Sequence, residues 1–179
     1  MLGPGNEGKL IETDLDLKTN YSLSNASVHA ITMTSLSIVH LAATNPRVSF
    51  LHSNPGGVPT NAARELNPLL KALTSGLFMV LKPFPLSSIG LVPLTESGER
   101  HVYAATSPIF APGDQTVTTT GADGENGSGA YRLSYDTAVI EAKKPSTRLV
   151  KEYLDNGVGK KVWEHTADMF NKIAGSEDG

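Results

Sequence analysis

The chain of 179 residues contains no cysteine, which excludes a disulfide scaffold, a thiolate metal site and a cysteine nucleophile. The net charge is also small: the chain has 15 Lys and Arg and 18 Asp and Glu, which gives a formal net charge of -3. Without a long basic run, we expect neither nucleic acid nor an anionic membrane as a partner. No stretch approaches the roughly 20 apolar residues of a membrane span, and residues 1–18 lack the apolar core of a secretion signal. These absences predict a cytoplasmic protein.

The sequence also lacks the glycine-rich turn that holds a dinucleotide phosphate between a strand and a helix. The glycine cluster from Gly121 to Gly129 follows no strand-like run directly and precedes no helix-like one. No His and carboxylate pair has metal-site spacing such as His-Glu-x-x-His, and no Ser lies in a nucleophile elbow. We therefore expect no metal and no cofactor.

A long helix is the main feature that is present. From Tyr21 to Asn45 the chain has no Gly or Pro, and its apolar residues recur at helical spacing. The helix predicted over Tyr21–Thr44 is rich in Ser, Thr and Ala and poor in charge. Such helices are buried on most sides, and small side chains allow another helix to approach closely.

A strand and a glycine turn follow the helix. Pro46 stops the helix, and Arg47–Ser53 reads as a short strand that ends in Pro-Gly-Gly. Helix, strand and tight turn form one step of a parallel α/β sheet, whose ligands bind beyond the carboxyl ends of the strands. Asn54–Thr60 would lie at that edge.

The whole chain, residues 1–179, fits one domain. It has a loop-rich start and a flexible loop at residues 111–129. Tyr131–Tyr135 would form a hairpin with a Thr-rich strand at Gln115–Thr120, and His101–Thr106 reads as a strand beside Arg47–Ser53. Further helices are predicted over Leu69–Leu81, Leu86–Ser97, Ser146–Asp155 and Lys160–Ala174. The last of these would bury Val162, Thr166, Met169, Phe170 and Ile173. Asn61–Asn67 reads as a short amphipathic piece.

Tyr21, the long helix, the strand and Pro55-Gly56-Gly57-Val58-Pro59-Thr60 together carry a resemblance. They resemble the C-terminal half of a fungal short-chain dehydrogenase/reductase, in which a Tyr opens the helix and Pro-Gly-x-Val-x-Thr forms the turn over the nicotinamide. Weaker similarity extends from Leu2–Leu10 to Gly98–Thr106 and Val162–His165. The resemblance implies a partial Rossmann-like parallel sheet, flanked by helices and completed by dimerisation.

The chain also differs from the resembled family. The phosphate-binding turn and the catalytic Ser would lie upstream, and the family's Lys, four residues after Tyr21, is replaced by Asn25. A neutral amide cannot favour a phenolate through charge, so family-type redox chemistry is not expected. We predict instead a cofactor-independent isomerase, cyclase or dehydratase that acts on a small natural product in fungal secondary metabolism.

Tyr21, His29 and His52 are the predicted catalytic residues. His29 lies about two helical turns beyond Tyr21, and His52 ends the strand on the same face as Asn54. Each also has a structural interpretation: Tyr21 as a packing residue, and the histidines as buried, hydrogen-bonded residues. The predicted substrate-binding residues are Asn25, Asn54, Gly56, Gly57, Thr60, Leu73 and Leu77.

Two alternatives of other classes stay open. One is a non-catalytic interaction protein that pairs with itself or with a relative through its long helix. The other is an NADPH-dependent carbonyl reductase whose cofactor half is supplied by another chain. In each case a sheet of two or three strands leaves unpaired edges, so a homodimer is expected.

Overall fold

A computed structural model describes residues 3–58, 76, 91–112 and 116–175. The chain divides into two compact units, one made of Met1–Asn54 and Ser107–Gly179 and the other of Pro55–Thr106. In chain order the elements are α1 (Leu23–Thr44), β1 (Phe50–Ser53), α2 (Leu94–Thr106), a 3-10 turn (Pro108–Phe110), β2 (Ala130–Leu133), α3 (Pro145–Asp155) and α4 (Val158–Ala174). The described α/β arrangement with its parallel sheet agrees with part of a Rossmann-like fold.

The predicted long helix is confirmed as α1. It begins at Leu23 because the Ser22 hydroxyl accepts the backbone N–H of Asn25 at 3.1 Å and so caps the first turn. Tyr21 therefore precedes the helix. Residues 3–20 contain no helix or strand, as predicted.

α1 passes the length and composition test for a membrane span, contrary to the expectation from the sequence. Its most apolar window of 18 residues has a mean hydropathy of 1.3. Its buried side chains nevertheless pack against β1, β2, α3 and α4 of the same chain. In that window, 39% of the helix is buried inside the described structure, so α1 is partly a core helix and partly exposed.

β1 confirms the predicted strand, although it is shorter than Arg47–Ser53. It pairs in parallel with β2, with Phe50 opposite Ala130 and Ser53 opposite Leu133. The partner is not the one that the sequence indicated. The predictions of a strand at His101–Thr106 and of a hairpin at Tyr131–Tyr135 were both wrong.

His101–Thr106 forms the second half of α2. Val102 and Tyr103 favour a strand by propensity, but they are 64% and 49% exposed. Because β propensity reflects packing on a half-buried pleated surface, it has no effect where that surface is missing. The Glu96–Arg100 ion pair, one helical turn long, stabilises the helix instead.

β2 is a fully buried strand rather than half of a hairpin. Its four residues are all buried, which suits a parallel strand covered on both faces. The described part of the Thr-rich segment, Thr116–Thr120, contains no strand. Only an isolated antiparallel bridge joins Thr120 to Asn126 there.

The two C-terminal helices are confirmed. Gly157 separates them with φ 75°, a left-handed conformation that glycine adopts without strain. Leu10, Leu36, Val150, Tyr153, Val158 and Val162 form the core between α1, α3 and α4. The predicted buried stripe is wrong at Phe170 and Ile173, which are 67% and 59% exposed, because the core reaches only the first turns of α4.

Some predictions fall outside the described residues. The helix at Leu69–Leu81, apart from residue 76, and the amphipathic piece Asn61–Asn67 belong there, as do residues 86–90 of the helix predicted over Leu86–Ser97. In the described part of that last range, helix α2 begins at Leu94.

Candidate functional site at the carboxyl edge of the sheet

His52 and Arg132 lie side by side near the carboxyl ends of the two strands. They are paired in the register of β1 and β2. Paired residues of neighbouring strands project to the same face of a sheet. On this face they meet Ser35 of α1 and Glu7 of the N-terminal segment. Sheet pairing and one helix thus gather four polar side chains.

Glu7, Ser35 and His52 form a chain of hydrogen bonds whose direction is fixed. The Ser35 hydroxyl donates to Glu7 Oε1 at 2.8 Å, and its oxygen lies 2.9 Å from His52 Nδ1. A serine has one proton to donate, and an ionised carboxylate has none. Ser35 must therefore accept from His52, whose proton is on Nδ1. The Nε2 atom of neutral His52 is then an acceptor.

Glu7 is the anion of this chain. Its carboxyl is buried, and burial acts to raise its pKa; the charge of Arg132 and the hydrogen bonds from Ser35 and the backbone outweigh that effect, so the pKa is lowered. Arg132 Nη1 donates to Oε1 at 3.1 Å, and the backbone N–H of Gly5 donates to Oε2 at 2.8 Å. Glu7 is ionised at neutral pH.

His52 is held in its neutral form. Burial lowers its pKa, the charge of Arg132 acts in the same direction, and Glu7 opposes both. The ring is half-buried, so it keeps contact with solvent. A neutral imidazole with one unprotonated nitrogen is suited to accept a proton or a hydrogen bond.

Arg132 is fixed at both ends of its guanidinium. Nη2 donates to Thr147 Oγ1 at 2.7 Å, and this hydroxyl donates in turn to the backbone oxygen of Glu141 at 2.8 Å. Arg132 is 2% exposed. Its role toward Glu7 is therefore that of a rigid buried counter-charge.

Asn54, a predicted substrate-binding residue, continues the strand ladder. Its backbone N–H donates to the Leu133 oxygen at 2.9 Å, which places its side chain on the same side as that of His52. A Cβ on Gly3 would lie 2.6 Å from Asn54 Cγ, so the N-terminal segment needs glycine to pass this edge.

The other predicted binding residues are placed as follows. Gly56 has φ 72°, as a tight turn requires, and Gly57 accepts the backbone N–H of Val92 at 3.1 Å. Thr60, Leu73 and Leu77 lie outside the described residues.

Tyr21 and His29 lie in different surroundings. Tyr21 is 71% exposed, whereas His29 is 4% exposed. His29 Nε2 accepts the Ile11 N–H at 3.0 Å, so its proton is on Nδ1, which faces the Leu15 oxygen at 3.4 Å. Both ring nitrogens of His29 thus join the N-terminal loop to α1.

Asn25, which stands where the resembled family has Lys, does not turn toward Tyr21. Its side-chain amide donates to the backbone oxygen of Asn20 at 2.8 Å. A nearby open cleft of about 380 Å³ has neither Tyr21 nor His29 among its lining residues. That cleft is lined by Asn6, Leu23, Ser24, Ser27, Val28 and Ile31.

The glycine cluster from Gly121 to Gly129 lacks the structural context of a dinucleotide phosphate turn. The cluster from Gly121 to Gly129 leads into β2 rather than from a strand into a helix. In the same described ranges, no group of three or more His, Asp and Glu side chains could hold a metal ion.

Sequence reasoning found His52 but missed Glu7, Ser35 and Arg132. Glu7 lies in a loop, Ser35 in a helix with many hydroxyls, and Arg132 in a strand assigned to a hairpin. The available signal was Arg132 itself, because a charged residue inside an apolar strand needs a buried partner.

Comparison with known proteins shows similarity to fungal oxidoreductases. The chain is 38% identical to the Emericella nidulans protein named Oxidoreductase AN1596, over 95% of this chain and 52% of that protein. It is 32% identical to Oxidoreductase andH of Emericella variicolor, over 94% of this chain and 50% of that protein.

A third relative carries a family description in its name. This is the NmrA-like family domain-containing oxidoreductase notO of an Aspergillus species, 28% identical over 97% of this chain and 48% of that protein. The chain therefore spans about half the length of the curated relatives it matches. No model of a protein family matches the chain, and no solved structure matches it.

Proposed function

We propose that the chain contributes the substrate-facing part of a small-molecule oxidoreductase that uses a nicotinamide dinucleotide, with the nucleotide-binding part supplied by another polypeptide segment. One observation carries this proposal: 95% of the chain aligns with about half of a protein named as an oxidoreductase. The names of the relatives favour redox chemistry over the isomerase, cyclase or dehydratase that the sequence alone suggested.

The position of the polar cluster supports a substrate-facing role. Ligands of parallel α/β sheets bind outside the carboxyl ends of the strands, and His52 and Asn54 lie at that end of β1. His52 is neutral and keeps contact with solvent, whereas its partners Glu7 and Arg132 are buried. The cluster thus presents the His52 imidazole, which is supported by the buried ion pair of Glu7 and Arg132.

A second candidate is cofactor-independent isomerisation, cyclisation or dehydration of a small natural product of fungal secondary metabolism. The hydrogen-bonded chain from Glu7 to His52 favours it, because such a chain supports proton transfer without a nucleotide. Asn25 in place of the family's Lys points the same way.

A chimera tests the proposal. The half of Oxidoreductase AN1596 that this chain matches is replaced by the chain, and oxidation of an aromatic secondary alcohol by NADP⁺ is measured. The intact relative is assayed alongside, and the chimera with His52→Gln is the matched variant. We expect NADP⁺-dependent turnover by the chimera and at least a tenfold loss in the variant.

The outcomes separate the two candidates. A folded chimera that binds no NADPH and oxidises no alcohol, beside an active relative, would refute the redox proposal. Conversion of a substrate by the 179-residue chain without dinucleotide would favour the second candidate.

We also propose that the chain forms a homodimer. In the described residues the sheet has two strands, and α4 exposes Phe170 and Ile173. Exposed apolar side chains favour association.

A further inference from the structure

We propose that His52 Nε2 is the hydrogen-bond acceptor for a hydroxyl group of the bound small molecule, and that Glu7 and Ser35 are positioning residues that fix the ring for this task. This inference rests on the proposed function and specifies the ligand chemistry of the same site. It concerns binding and includes no covalent step.

Two histidines of the same tautomer differ in what binds their second ring nitrogen. His29 and His52 both carry their proton on Nδ1. In His29 the Nε2 acceptor is used by a backbone N–H, and the residue is 4% exposed. Nothing in the described parts of the chain donates to His52 Nε2, and His52 is half-buried. Of these two histidines, His52 is therefore the one whose Nε2 has no donor among the described residues.

The hydrogen-bond chain determines which ring nitrogen of His52 carries the proton. Because Ser35 donates its one proton to Glu7, its oxygen can only accept from His52. The opposite tautomer would place two acceptors against each other at 2.9 Å. Arg132 holds Glu7 ionised and so keeps the direction of the chain. The two positioning residues thus keep Nε2 free of a proton.

The available acceptor defines the ligand class. A group that binds to unprotonated Nε2 must donate, so an alcohol, a phenol or an enol fits and a simple ketone or ether does not. An anionic ligand gains little at this site, because the charge of Arg132 is already paired with Glu7. We infer a neutral hydroxyl compound.

The tautomer is tested first, on the 179-residue chain with ¹⁵N-labelled histidine. His52→Gln assigns the His52 signals, and the wild type should show a protonated Nδ1 and an unprotonated Nε2. Ser35→Ala should change the tautomer ratio of His52 about fivefold to tenfold toward protonated Nε2, the effect of one hydrogen bond. Thr34→Ala removes the neighbouring hydroxyl, which bonds to the Ala30 oxygen, and should leave His52 unchanged.

Ligand class is tested next, with phenol as the probe and anisole as its methylated control. Phenol should shift the His52 Nε2 resonance in a saturable way, whereas anisole should not, and neither should move the His29 signals. A wild-type His52 protonated on Nε2, or equal shifts with phenol and anisole, would overturn the inference. Because neither measurement needs a dinucleotide or turnover, failure here is distinguishable from failure of the redox proposal.

Discussion

Glu7 and Arg132, 125 positions apart in the chain, form an ion pair with Oε1 and Nη1 3.1 Å apart. The exposed fractions of their side chains are 0% and 2%. The pair joins the N-terminal segment to β2 and gives the Glu7–Ser35–His52 chain its direction. Its loss should therefore affect both stability and the candidate site.

Removal of one charge should destabilise the fold strongly. Arg132→Met leaves the Glu7 carboxylate buried without a counter-charge, so we expect a loss of about 3–5 kcal/mol in the free energy of unfolding. Urea unfolding followed by the fluorescence of Trp163, the one tryptophan, measures it. Trp163 stacks on His40 of α1 and so reports this part of the structure.

An exposed pair is the matched control for this experiment. Lys151 and Asp155 lie 3.4 Å apart with side chains 59% and 62% exposed. Lys151→Ala should change the free energy of unfolding by less than about 1 kcal/mol. If Arg132→Met lowered the free energy of unfolding no more than Lys151→Ala, the assignment of Glu7 and Arg132 as a buried ion pair would be refuted.

Stability should depend on pH through two groups of the cluster. The free energy of unfolding rises with pH wherever the unfolded state binds more protons than the folded state. His52 has a folded pKa below its ordinary 6.5 and Glu7 one below its ordinary 4.5. Stability should thus fall as the pH drops below 6.5, and fall again below 4.5.

Two isosteric variants assign these steps. His52→Gln should reduce the dependence just below pH 6.5, and Glu7→Gln should reduce it below pH 4.5. Urea unfolding over a pH series measures both slopes. An increase in stability on acidification from pH 6.5 would contradict the directions given for His52.

Close packing at the sheet edge gives opposite predictions for two glycines. Gly3→Ala would place a Cβ 2.6 Å from Asn54 Cγ, so we expect a loss of about 1–3 kcal/mol. Gly98→Ala, in exposed α2 with nothing within 4 Å, should stabilise its helix by about 0.5–1 kcal/mol. Thermal unfolding followed by circular dichroism compares them. Equal effects of the two substitutions would refute the close approach of Gly3.

Self-association should depend on the exposed apolar end of α4. The chain should sediment as a dimer at micromolar concentration, and Phe170→Ser with Ile173→Ser should weaken the dimer at least tenfold. Lys160→Ser, also on an exposed position of α4, is the control. Sedimentation of the wild type as a monomer would refute the homodimer.

Local patterns predicted the helices of the first unit well. The segment of α1 has helical spacing and no Gly or Pro, and Pro46 marks its end. Gly157 separates α3 from α4 in the same way. These signals lie within one or two turns of the residues they affect, so a single sequence contains them.

Long-range pairing could not be predicted in this way. Phe50 pairs with Ala130, and nothing local to either residue specifies the other. The same holds for the site: His52 was found from its place at a strand end, but Glu7 and Arg132 meet only after β1, β2 and α1 have packed. The strand prediction at His101–Thr106 failed for a related reason: Val102 and Tyr103 are exposed, and strand propensity is effective only where such side chains pack on a half-buried sheet.

Titration of NADPH fluorescence tests whether a nucleotide-binding segment must be added to these 179 residues. Under the proposal, they contribute the substrate side of an oxidoreductase. The 179-residue chain alone should cause no saturable change, whereas the chimera with Oxidoreductase AN1596 should give the same response to NADPH as the intact relative measured alongside. Saturable binding of NADPH by the 179-residue chain alone would contradict the account.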